Sequence, residues 1–383
     1  MSYTVAPLAR SGHAAHANRC LTALPASQVE LDPSKLAIAY YCLGTLDLLG
    51  LLQTKTSERD RDAWRGWLWE QQTHGAHGTG FRPSHFMTVA LKDEYTDASA
   101  PHIIMTYTAL LGLAILRDDF KRLDREGLRR FVRACQLPDG SFGTTPTRTD
   151  ADLRTTYCAF AICSMLDDWS AVDVPAATGY IARCRSFEGG YGQAPAGEAL
   201  GGTTYTAIAA LHLAARSGLH IGPQDSQLHV APQDSQSHVG SREQGQTRER
   251  SPLSPRERAQ TIRWLLANQT SGGGFSGRIN KEADACYCFW CGAALQILGA
   301  GAFVDADALA AFFARCQFKY GGIAKAPDEH PDPYHTYLSL AAASMYPPTG
   351  AGETWAFEPF DCLLNARVET AQWARMHIPA SST

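Results

Sequence analysis

The sequence lacks the features that mark membrane-spanning, nucleic-acid-binding and secreted proteins. Apolar stretches such as YTALLGLAIL are too short to cross a bilayer. The formal net charge of −4 gives no electrostatic case for binding nucleic acid. The first residues, MSYTVAPLARSGHAAHANRC, contain no continuous apolar segment of the kind found in a secretory signal. We therefore expect no membrane span, no nucleic-acid partner and a cytoplasmic location.

Strand-like alternation of apolar and polar residues is also nearly absent, which argues against a β-rich fold. Apolar residues make up 45% of the 383 residues, enough for a sizeable core. The 11 cysteines are an odd number and lie scattered through apolar segments, as expected for reduced thiols in a reducing compartment.

A glycine-containing segment recurs four times, and its copies begin at Cys135, Cys184, Asn268 and Cys316. Three cysteines therefore share one repeat position. We interpret them as small packing residues rather than metal ligands, because repeat-equivalent residues lie far apart in space. The intervals between copies are 49, 84 and 48 residues. The long interval contains the polar, internally duplicated segment 219–254, which we interpret as a disordered insertion in a single domain, 1–383.

Two kinds of helical pattern alternate along the chain. The first, for example TYCAFAICSML, is apolar on almost every face and should be buried. The second, for example DREGLRRFVRACQ, is amphipathic. About six such pairs are present, and an open array of them would need polar caps at both ends. The pattern therefore predicts an all-α fold, an α/α toroid with an inner and an outer ring of helices.

The segment GRINKEADACYCFW, Gly277–Trp290, has the residue types of a metal site beside an anion site. Asp284 and Cys286 stand at a helix start, where an N-cap and a buried small side chain are their ordinary roles. Alternatively, the pair aims a carboxylate and a thiolate at one zinc ion. His335, about one repeat further on, then supplies the third ligand and leaves the open position of a catalytic zinc site. The loop residue His330 is its competitor.

Two cations precede this pair. Arg278 and Lys281 form either a solvated basic turn or, together with the helix N-terminus, a phosphate site. Tyr287 lies on the same helix and can donate a further hydrogen bond. In the second interpretation, a phosphorylated substrate lies next to a metal-activated nucleophile. We interpret Cys288 and Trp290 as packing residues.

These residues resemble the signature of protein prenyltransferase β subunits. The family pattern Gly-Arg-x-x-Lys-x-x-Asp-x-Cys-Tyr-x-x-Trp, followed by a distant histidine, is filled at every fixed position. The glycine turns and ADLRTTYCAFAICSML are also similar to the family, and the resemblance covers nearly the whole chain outside 219–254. It implies a toroid of six inner and six outer helices, and an obligate heterodimer with an α subunit that adds a lysine to the site.

The resemblance also implies an activity. Zinc held by Asp284, Cys286 and His335 would bind the cysteine of a C-terminal CaaX motif in proteins such as small GTPases. The resulting thiolate would attack C1 of a prenyl diphosphate. The charge that grows on the leaving diphosphate would be stabilised by Arg278, Lys281 and Tyr287.

Two positions favour geranylgeranyl diphosphate over farnesyl diphosphate. Farnesyltransferases carry a tryptophan at the position of Ala37, where a small side chain leaves room for a fourth isoprene unit. Lys325 stands where farnesyltransferases have a magnesium-binding aspartate, so we expect a magnesium-independent reaction. Taken singly, Ala37 is also compatible with ordinary helix packing and Lys325 with a solvated loop. Together they favour the type I enzyme, which acts on CaaX motifs ending in leucine, over the farnesyl and Rab-modifying members.

Two departures from the family pattern qualify this assignment. Leu200 replaces a histidine that contacts the diphosphate, and the sequence suggests no replacement. Tyr334 is aromatic, as in farnesyltransferases, which is compatible with a mixed peptide preference. The expected lipid and peptide pocket consists of Ala37, Tyr41, Arg154, Tyr334 and Leu338. Structural roles are equally compatible with Tyr41 and Arg154.

Two other classes of function are alternatives. A terpene cyclase can share the toroid, but it needs an Asp-rich motif, and LDDWSAVD does not fit. A non-catalytic scaffold that binds a partner protein is supported by Leu200 alone. The complete set of metal-ligand and cationic residues argues against it.

Overall fold

The computed structural model describes residues 5–24, 26–84, 100–218 and 252–379. Within these ranges the helices are α1 Arg10–Thr22, α2 Lys35–Leu48, α3 Leu52–Lys55, α4 Glu58–Glu70, α5 Ile103–Ile115, α6 Arg125–Cys135, α7 Leu153–Leu166, α8 Val174–Arg183, α9 Gly201–Arg216, α10 Pro255–Ala267, α11 Ala285–Ile297, α12 Ala306–Cys316, α13 Pro333–Met345 and α14 Val368–His377. Two antiparallel hairpins pair β1 Gln72–Gly75 with β2 Gly78–Phe81, and β3 Phe360–Asp361 with β4 Ala366–Arg367. None of the described helices is long and apolar enough to cross a membrane.

Six helices form a closed inner ring. Helices α2, α5, α7, α9, α11 and α13 pack in this order, and α13 returns to contact α2. Small and apolar residues occupy nearly every position of these helices, so α5 and α9 are buried on almost all faces. The predicted toroid is confirmed.

The outer ring consists of α1, α4, α6, α8, α10 and α12, which alternate with the inner helices along the chain. In α6, for example, Leu128, Phe131 and Val132 are buried whereas Arg130 and Arg133 are exposed. An aspartate caps the start of several outer helices by accepting a backbone hydrogen bond, as expected for N-cap residues. These caps are Asp124, Asp173 and Asp305.

The repeat-equivalent cysteines lie at the ends of outer helices. Cys135, Cys184 and Cys316 are buried, as is Asn268 in the remaining copy. Each backbone carbonyl accepts a hydrogen bond from the glycine turn that follows, for example from Gly143 N at 2.8 Å to Cys135 O. The chain's cysteines are all free thiols. Packing against the glycine turn therefore explains why a small buried residue occupies this repeat position.

The recurring glycine is needed for close packing of successive repeats. Gly273 and Gly321 both have positive φ, 92° and 91°. A side chain on Gly273 would collide with the carbonyl of Ala308 in the next outer helix, and one on Gly321 would collide with the carbonyl of Gly12 in α1. The first outer helix therefore follows the last repeat in space.

The ring closes where the last glycine turn, around Gly321, packs against α1. In two earlier repeats, a glutamine side chain follows the outer helix and accepts a hydrogen bond from the backbone N–H of the residue that caps the next outer helix. These bonds run from Asp173 N to Gln136 Oε1 at 2.8 Å and from Asp305 N to Gln269 Oε1 at 3.0 Å. Gln317 makes the same bond with Ala9 N at 2.8 Å. His13 contacts Gln317 Oε1 at 3.0 Å and accepts from Gly322 N at 3.0 Å. The position of α1 as the sixth outer helix is not evident from the sequence pattern.

A C-terminal segment packs against the inner ring. Tyrosines from five inner helices donate hydrogen bonds to the consecutive backbone carbonyls of residues 362–365; they are Tyr40, Tyr107, Tyr157, Tyr205 and Tyr337. On α11 the corresponding residue is Phe289, whose ring packs on Phe360 with centroids 6.0 Å apart. These bonds satisfy buried carbonyls of an irregular segment.

The predicted insertion 219–254 falls between α9 and α10. Residues 219–251, where disorder is predicted, lie outside the described residues. Ser254 is the N-cap of α10 and forms a capping box with Glu257.

Candidate active site

The three predicted metal ligands converge at the starts of α11 and α13. Asp284 is the N-cap of α11, Cys286 its second residue and His335 the third residue of α13. Their ligand atoms lie within 4.8 Å of one another, and Asp284 Oδ1 is 3.3 Å from His335 Nε2. Among the described residues, no other group of three His, Cys, Asp or Glu is this close. His330 is exposed and stands outside the cluster.

The two interpretations of Asp284 are compatible. Its side chain caps α11 by accepting a hydrogen bond from Cys286 N at 2.9 Å, and it also faces His335. A carboxylate has two oxygens and about four acceptor directions, so capping leaves capacity for a cation. The thiol of Cys286 is likewise both buried and part of the cluster.

Asp332 completes the cluster and was missed from the sequence. One of its oxygens caps α13 by accepting from His335 N at 2.9 Å, and the other is 2.6 Å from His335 Nδ1. This contact orients the ring and leaves Nε2 facing Asp284, as carboxylate partners do for metal-binding histidines. Asp332 lies 48 residues after Asp284, one repeat later, and this spacing is the signal that would have identified it.

The electrostatics of the cluster suit a cation. Burial lowers the pKa of His335, but hydrogen bonds with Asp284, Asp332 and Cys286 outweigh it and raise the pKa to about 11. Burial opposes ionisation of Asp284, yet hydrogen bonds with His335 and Cys286 keep its pKa below the usual value. Burial raises the pKa of the Cys286 thiol to about 12. Positive charge is therefore stabilised here, and the donor set fits zinc, whose binding would release protons.

The predicted anion-binding residues line one cavity of about 390 Å³. They are Arg278, Lys281, Tyr287 and Lys325. Asp284 also lines this cavity, together with Glu282 and Glu329, so the predicted anion-binding residues adjoin the metal cluster in a wall of mixed charge. Arg278 forms an ion pair with Glu198. Leu200 lies in the same wall without a polar side chain.

Two glycines make room for the ring of Tyr287. A side chain on Gly277 would collide with the phenol, and one on Gly201 would approach the ring to 3.0 Å. The two glycines are themselves linked, because Gly201 N donates to Gly277 O at 2.8 Å. Burial raises the pKa of Tyr287 to about 12, so the phenol is a hydrogen-bond donor at neutral pH.

An aromatic wall stands beside the metal cluster. The ring of Tyr334 is 4.9 Å from that of His335 and meets Tyr41 edge-on, with centroids 5.3 Å apart. Trp290 donates from Nε1 to the hydroxyl of Tyr334 at 3.1 Å. Trp290, interpreted from the sequence as a packing residue, therefore also orients a residue of the predicted peptide pocket.

The remaining residues of the predicted lipid and peptide pocket lie at a helix cap or inside the inner helices. Arg154 is paired with Asp152, the N-cap of α7, at 2.6 Å, and Gln193 donates to the same carboxylate at 3.0 Å. Ala37 and Leu338 are buried in α2 and α13. Contacts of these residues with a lipid or a peptide stay predictions.

Comparisons with known proteins identify the family of this chain. The chain matches the family model of the prenyltransferase alpha-alpha toroid domain over residues 8–366. It is 32% identical over 331 residues to the geranylgeranyl transferase type-1 subunit beta of Arabidopsis thaliana, covering 84% of this chain and 80% of that one. It is also 32% identical over 349 residues to the protein of that name from Dictyostelium discoideum, covering 85% and 88%.

A solved structure, Candida albicans protein geranylgeranyltransferase-I complexed with GGPP, has a similar fold. The TM-score is 0.78 at 24% identity, covering 98% of this chain and 100% of that one. The family match spans most of the chain, and the relatives exceed 30% identity. The chain belongs to the prenyltransferase α/α toroid family.

Proposed function

We propose that this family member is the β subunit of a protein geranylgeranyltransferase. It would transfer the lipid of geranylgeranyl diphosphate to the cysteine thiol of a C-terminal CaaX motif ending in leucine, in cytoplasmic proteins such as small GTPases. The supporting observation is that Asp284 belongs both to the metal cluster and to the wall of the cavity that Arg278, Lys281 and Lys325 line. A thiol held at the cluster and a diphosphate held in the cavity would therefore be neighbours. The reaction also requires an α subunit, which would contribute a lysine.

The metal would be held by Asp284, Cys286 and His335, a carboxylate, a thiolate and an imidazole that together suit zinc. When bound, zinc lowers the pKa of a substrate thiol so that it is a thiolate at neutral pH. Asp332 occupies Nδ1 of His335, so Nε2 is the nitrogen presented to the ion.

The cavity residues would act on the leaving group. In the transfer, a carbon–sulfur bond forms at C1 of the lipid while the bond from C1 to the diphosphate oxygen breaks, and the diphosphate leaves with the electron pair. Arg278 and Lys281 would stabilise the growing negative charge, and Tyr287 would donate a hydrogen bond. Lys325 adds a fixed positive charge to the same wall, so magnesium would not be required.

The test offers both prenyl diphosphates to the chain purified with its α partner, using peptides that end in leucine or methionine. We expect geranylgeranyl transfer to the leucine peptide to exceed farnesyl transfer at least about tenfold, a discrimination that a side-chain-sized difference in a pocket can supply. The reaction should proceed without magnesium and stop when zinc is chelated. Preferential farnesyl transfer would contradict the lipid assignment. No transfer and no bound zinc would favour a scaffold role.

A variant pair isolates the lipid-length hypothesis. Ala37→Trp should shift the preference towards farnesyl diphosphate, because the indole would fill the volume of the fourth isoprene unit. Ala37→Ser is the matched control, since it adds little volume. An unchanged preference in a folded Ala37→Trp enzyme would place the length determinant elsewhere.

A mixed peptide specificity is the second candidate, favoured by the aromatic Tyr334. Its hydroxyl accepts from Trp290, and its ring lies against that of His335, next to the proposed substrate thiol. Tyr334→Leu should narrow the preference to peptides ending in leucine. Identical peptide selectivity in the variant would argue against this role.

A further inference from the structure

The loops that lead into the inner helices are tied to one another around the rim of the ring. The first residue of an inner helix donates its backbone N–H to a carbonyl in the loop that precedes the next inner helix. These bonds run from Ile103 N to Thr144 O at 2.9 Å, from Leu153 N to Gln193 O at 3.4 Å, from Gly201 N to Gly277 O at 2.8 Å and from Ala285 N to Lys325 O at 2.8 Å. The loop that carries Arg278 and Lys281 is therefore fixed against the start of α9.

This bond brings a carboxylate of one repeat to a guanidinium of the next. Glu198 stands three residues before Gly201, and Arg278 directly follows Gly277. Their side chains form an ion pair between Nη1 of Arg278 and Oε2 of Glu198. Arg278 lines the predicted diphosphate cavity, whereas Glu198 does not. Because a guanidinium has five N–H donors, the pair leaves donors of Arg278 for an anion in the cavity.

The exposure of this ion pair indicates what it contributes. The side chains of Arg278 and Glu198 are 39% and 58% exposed. An ion pair this exposed adds little to the stability of a fold. An arginine side chain has many rotamers when it is free, and a charge-assisted hydrogen bond restricts them. Orientation of the guanidinium, and not stability, is therefore the larger contribution of Glu198.

The equivalent carboxylate of an earlier repeat has a different partner. Glu198 stands two residues before Leu200, the N-cap of α9, and Asp150 stands two residues before Asp152, the N-cap of α7. Asp150 accepts a hydrogen bond from the hydroxyl of Thr144, in its own loop, at 2.9 Å. The position in the repeat alone therefore does not produce an ion pair with the cavity, and Asp150 is a matched control for Glu198.

We propose that Glu198 is a positioning residue that holds the guanidinium of Arg278 towards the leaving diphosphate. The proposal rests on the proposed transfer reaction. Negative charge grows on the diphosphate as the bond from C1 to oxygen breaks. A guanidinium already oriented towards that charge stabilises the transition state more than the bound substrate. Glu198 would contact neither substrate and would act through Arg278.

Removal of the carboxylate should affect transfer and binding differently. In Glu198→Ala, single-turnover transfer should fall about tenfold, because the guanidinium loses the partner that orients it. The Kd of geranylgeranyl diphosphate should change less than about twofold, because the lost orientation is offset by the removal of a negative charge near the anion. Both quantities are measured on the chain purified with its α partner. Asp150→Ala should match the original chain in both. An unchanged transfer rate in Glu198→Ala would overturn the proposal, and so would a Kd that weakens by the same factor as the rate falls.

Two further variants show whether Glu198 acts through Arg278. In Arg278→Ala, the additional change Glu198→Ala should alter the transfer rate less than about twofold, because the two residues act as a unit. A further loss as large as that of Glu198→Ala alone would place the effect elsewhere and overturn the proposal. Glu198→Gln keeps an oxygen that accepts from Arg278 and should recover most of the rate. A rate as low as that of Glu198→Ala would contradict positioning by this bond.

The original chain separates this proposal from the proposed function. No transfer of either prenyl diphosphate by the original chain would contradict the proposed function, and Glu198 would then have no reaction to assist. Transfer by the original chain and an equal rate in Glu198→Ala would contradict the positioning role alone. Urea denaturation curves that match that of the original chain confirm that the variants fold, as expected for exposed side chains.

Discussion

Two shielded histidines, His335 on α13 and His13 on α1, have opposite electrostatic environments. His335 on α13 faces the carboxylates of Asp284 and Asp332, whose hydrogen bonds outweigh burial and raise its pKa to about 11. His13 on α1 faces the amide groups of Gln317 and Gly322. Burial dominates there and lowers the pKa of His13 to about 4, with His16 and Arg10 adding to the effect.

The comparison shows that the hydrogen-bond partners of a shielded histidine, and not burial alone, decide whether its pKa is raised or lowered. Carboxylates make the region around His335 favourable for positive charge, and hence for a metal ion. Amide partners keep the ring of His13 neutral, with one nitrogen accepting from Gly322 N and the other donating to Gln317. One histidine suits a metal site, and the other holds the ring closed.

The largest expected effect is the loss of zinc and of transfer activity on removing His335, which removing His13 should not cause. His335→Ala should lose bound zinc and reduce transfer about 10³-fold or more, because a three-ligand site keeps only two ligands. His13→Gln should keep its zinc. Elemental analysis after dialysis and single-turnover transfer measure both quantities. Zinc retained at full stoichiometry in His335→Ala would remove that residue from the ligand set.

The next effect is a loss of stability in mild acid. His13 has a folded pKa of about 4 against an ordinary value of 6.5, so the unfolded chain binds the proton first as the pH falls. The stabilisation is complete above pH 6.5 and is lost progressively between pH 6.5 and about 4, in total about 3 kcal/mol. Urea denaturation of metal-free protein should show a steeper loss of stability between pH 6.5 and about 4 in the original chain than in His13→Gln. His102, also lowered to about 4 by burial, contributes equally to both proteins and cancels. Equal slopes would contradict the assignment.

A smaller effect is expected from the carboxylate behind His335. Asp332→Asn should weaken zinc binding about 10- to 100-fold, because an amide keeps the cap of α13 but loses the charged partner of Nδ1. Competition with a chelator measures this affinity. Asp305→Asn, at the N-cap of α12, is the matched control and should leave zinc binding unchanged. Equal affinity in both variants would make Asp332 a helix cap alone.

The smallest effect concerns the closing contact itself. Gln317→Ala should cost about 1–2 kcal/mol of unfolding free energy, because Ala9 N and His13 both lose their partner. Gln269→Ala removes the equivalent acceptor inside the ring and should cost about 1 kcal/mol. Denaturation curves of the two variants compare the closing contact with an interior one. A larger loss at Gln269 would mean that the closing contact is the weaker.

Much of the candidate site was predictable because its residues lie close in sequence or one repeat apart. Asp284 and Cys286 share one helix start, and the repeat places His335 at the next one. Asp332 is an N-cap one repeat after Asp284, but its contact with Nδ1 of His335 depends on the conformation at the start of α13, which the spacing alone does not give. The role of Trp290 could not be predicted, since its partner Tyr334 depends on how two inner helices pack.

The sequence alone determined a two-layer helical repeat, because the spacing of apolar residues gives the buried face of each helix and the recurring glycines give the turns. It also determined which residue types meet at the rim of the ring. Only the tertiary structure decided that α1 closes the ring and that the tyrosines of the inner ring bind the backbone carbonyls of residues 362–365. Those features depend on hydrogen bonds to backbone carbonyls hundreds of residues away, such as that from Tyr40 to Asn365 O. Every residue carries such a carbonyl, so no side-chain pattern marks the one that will be used.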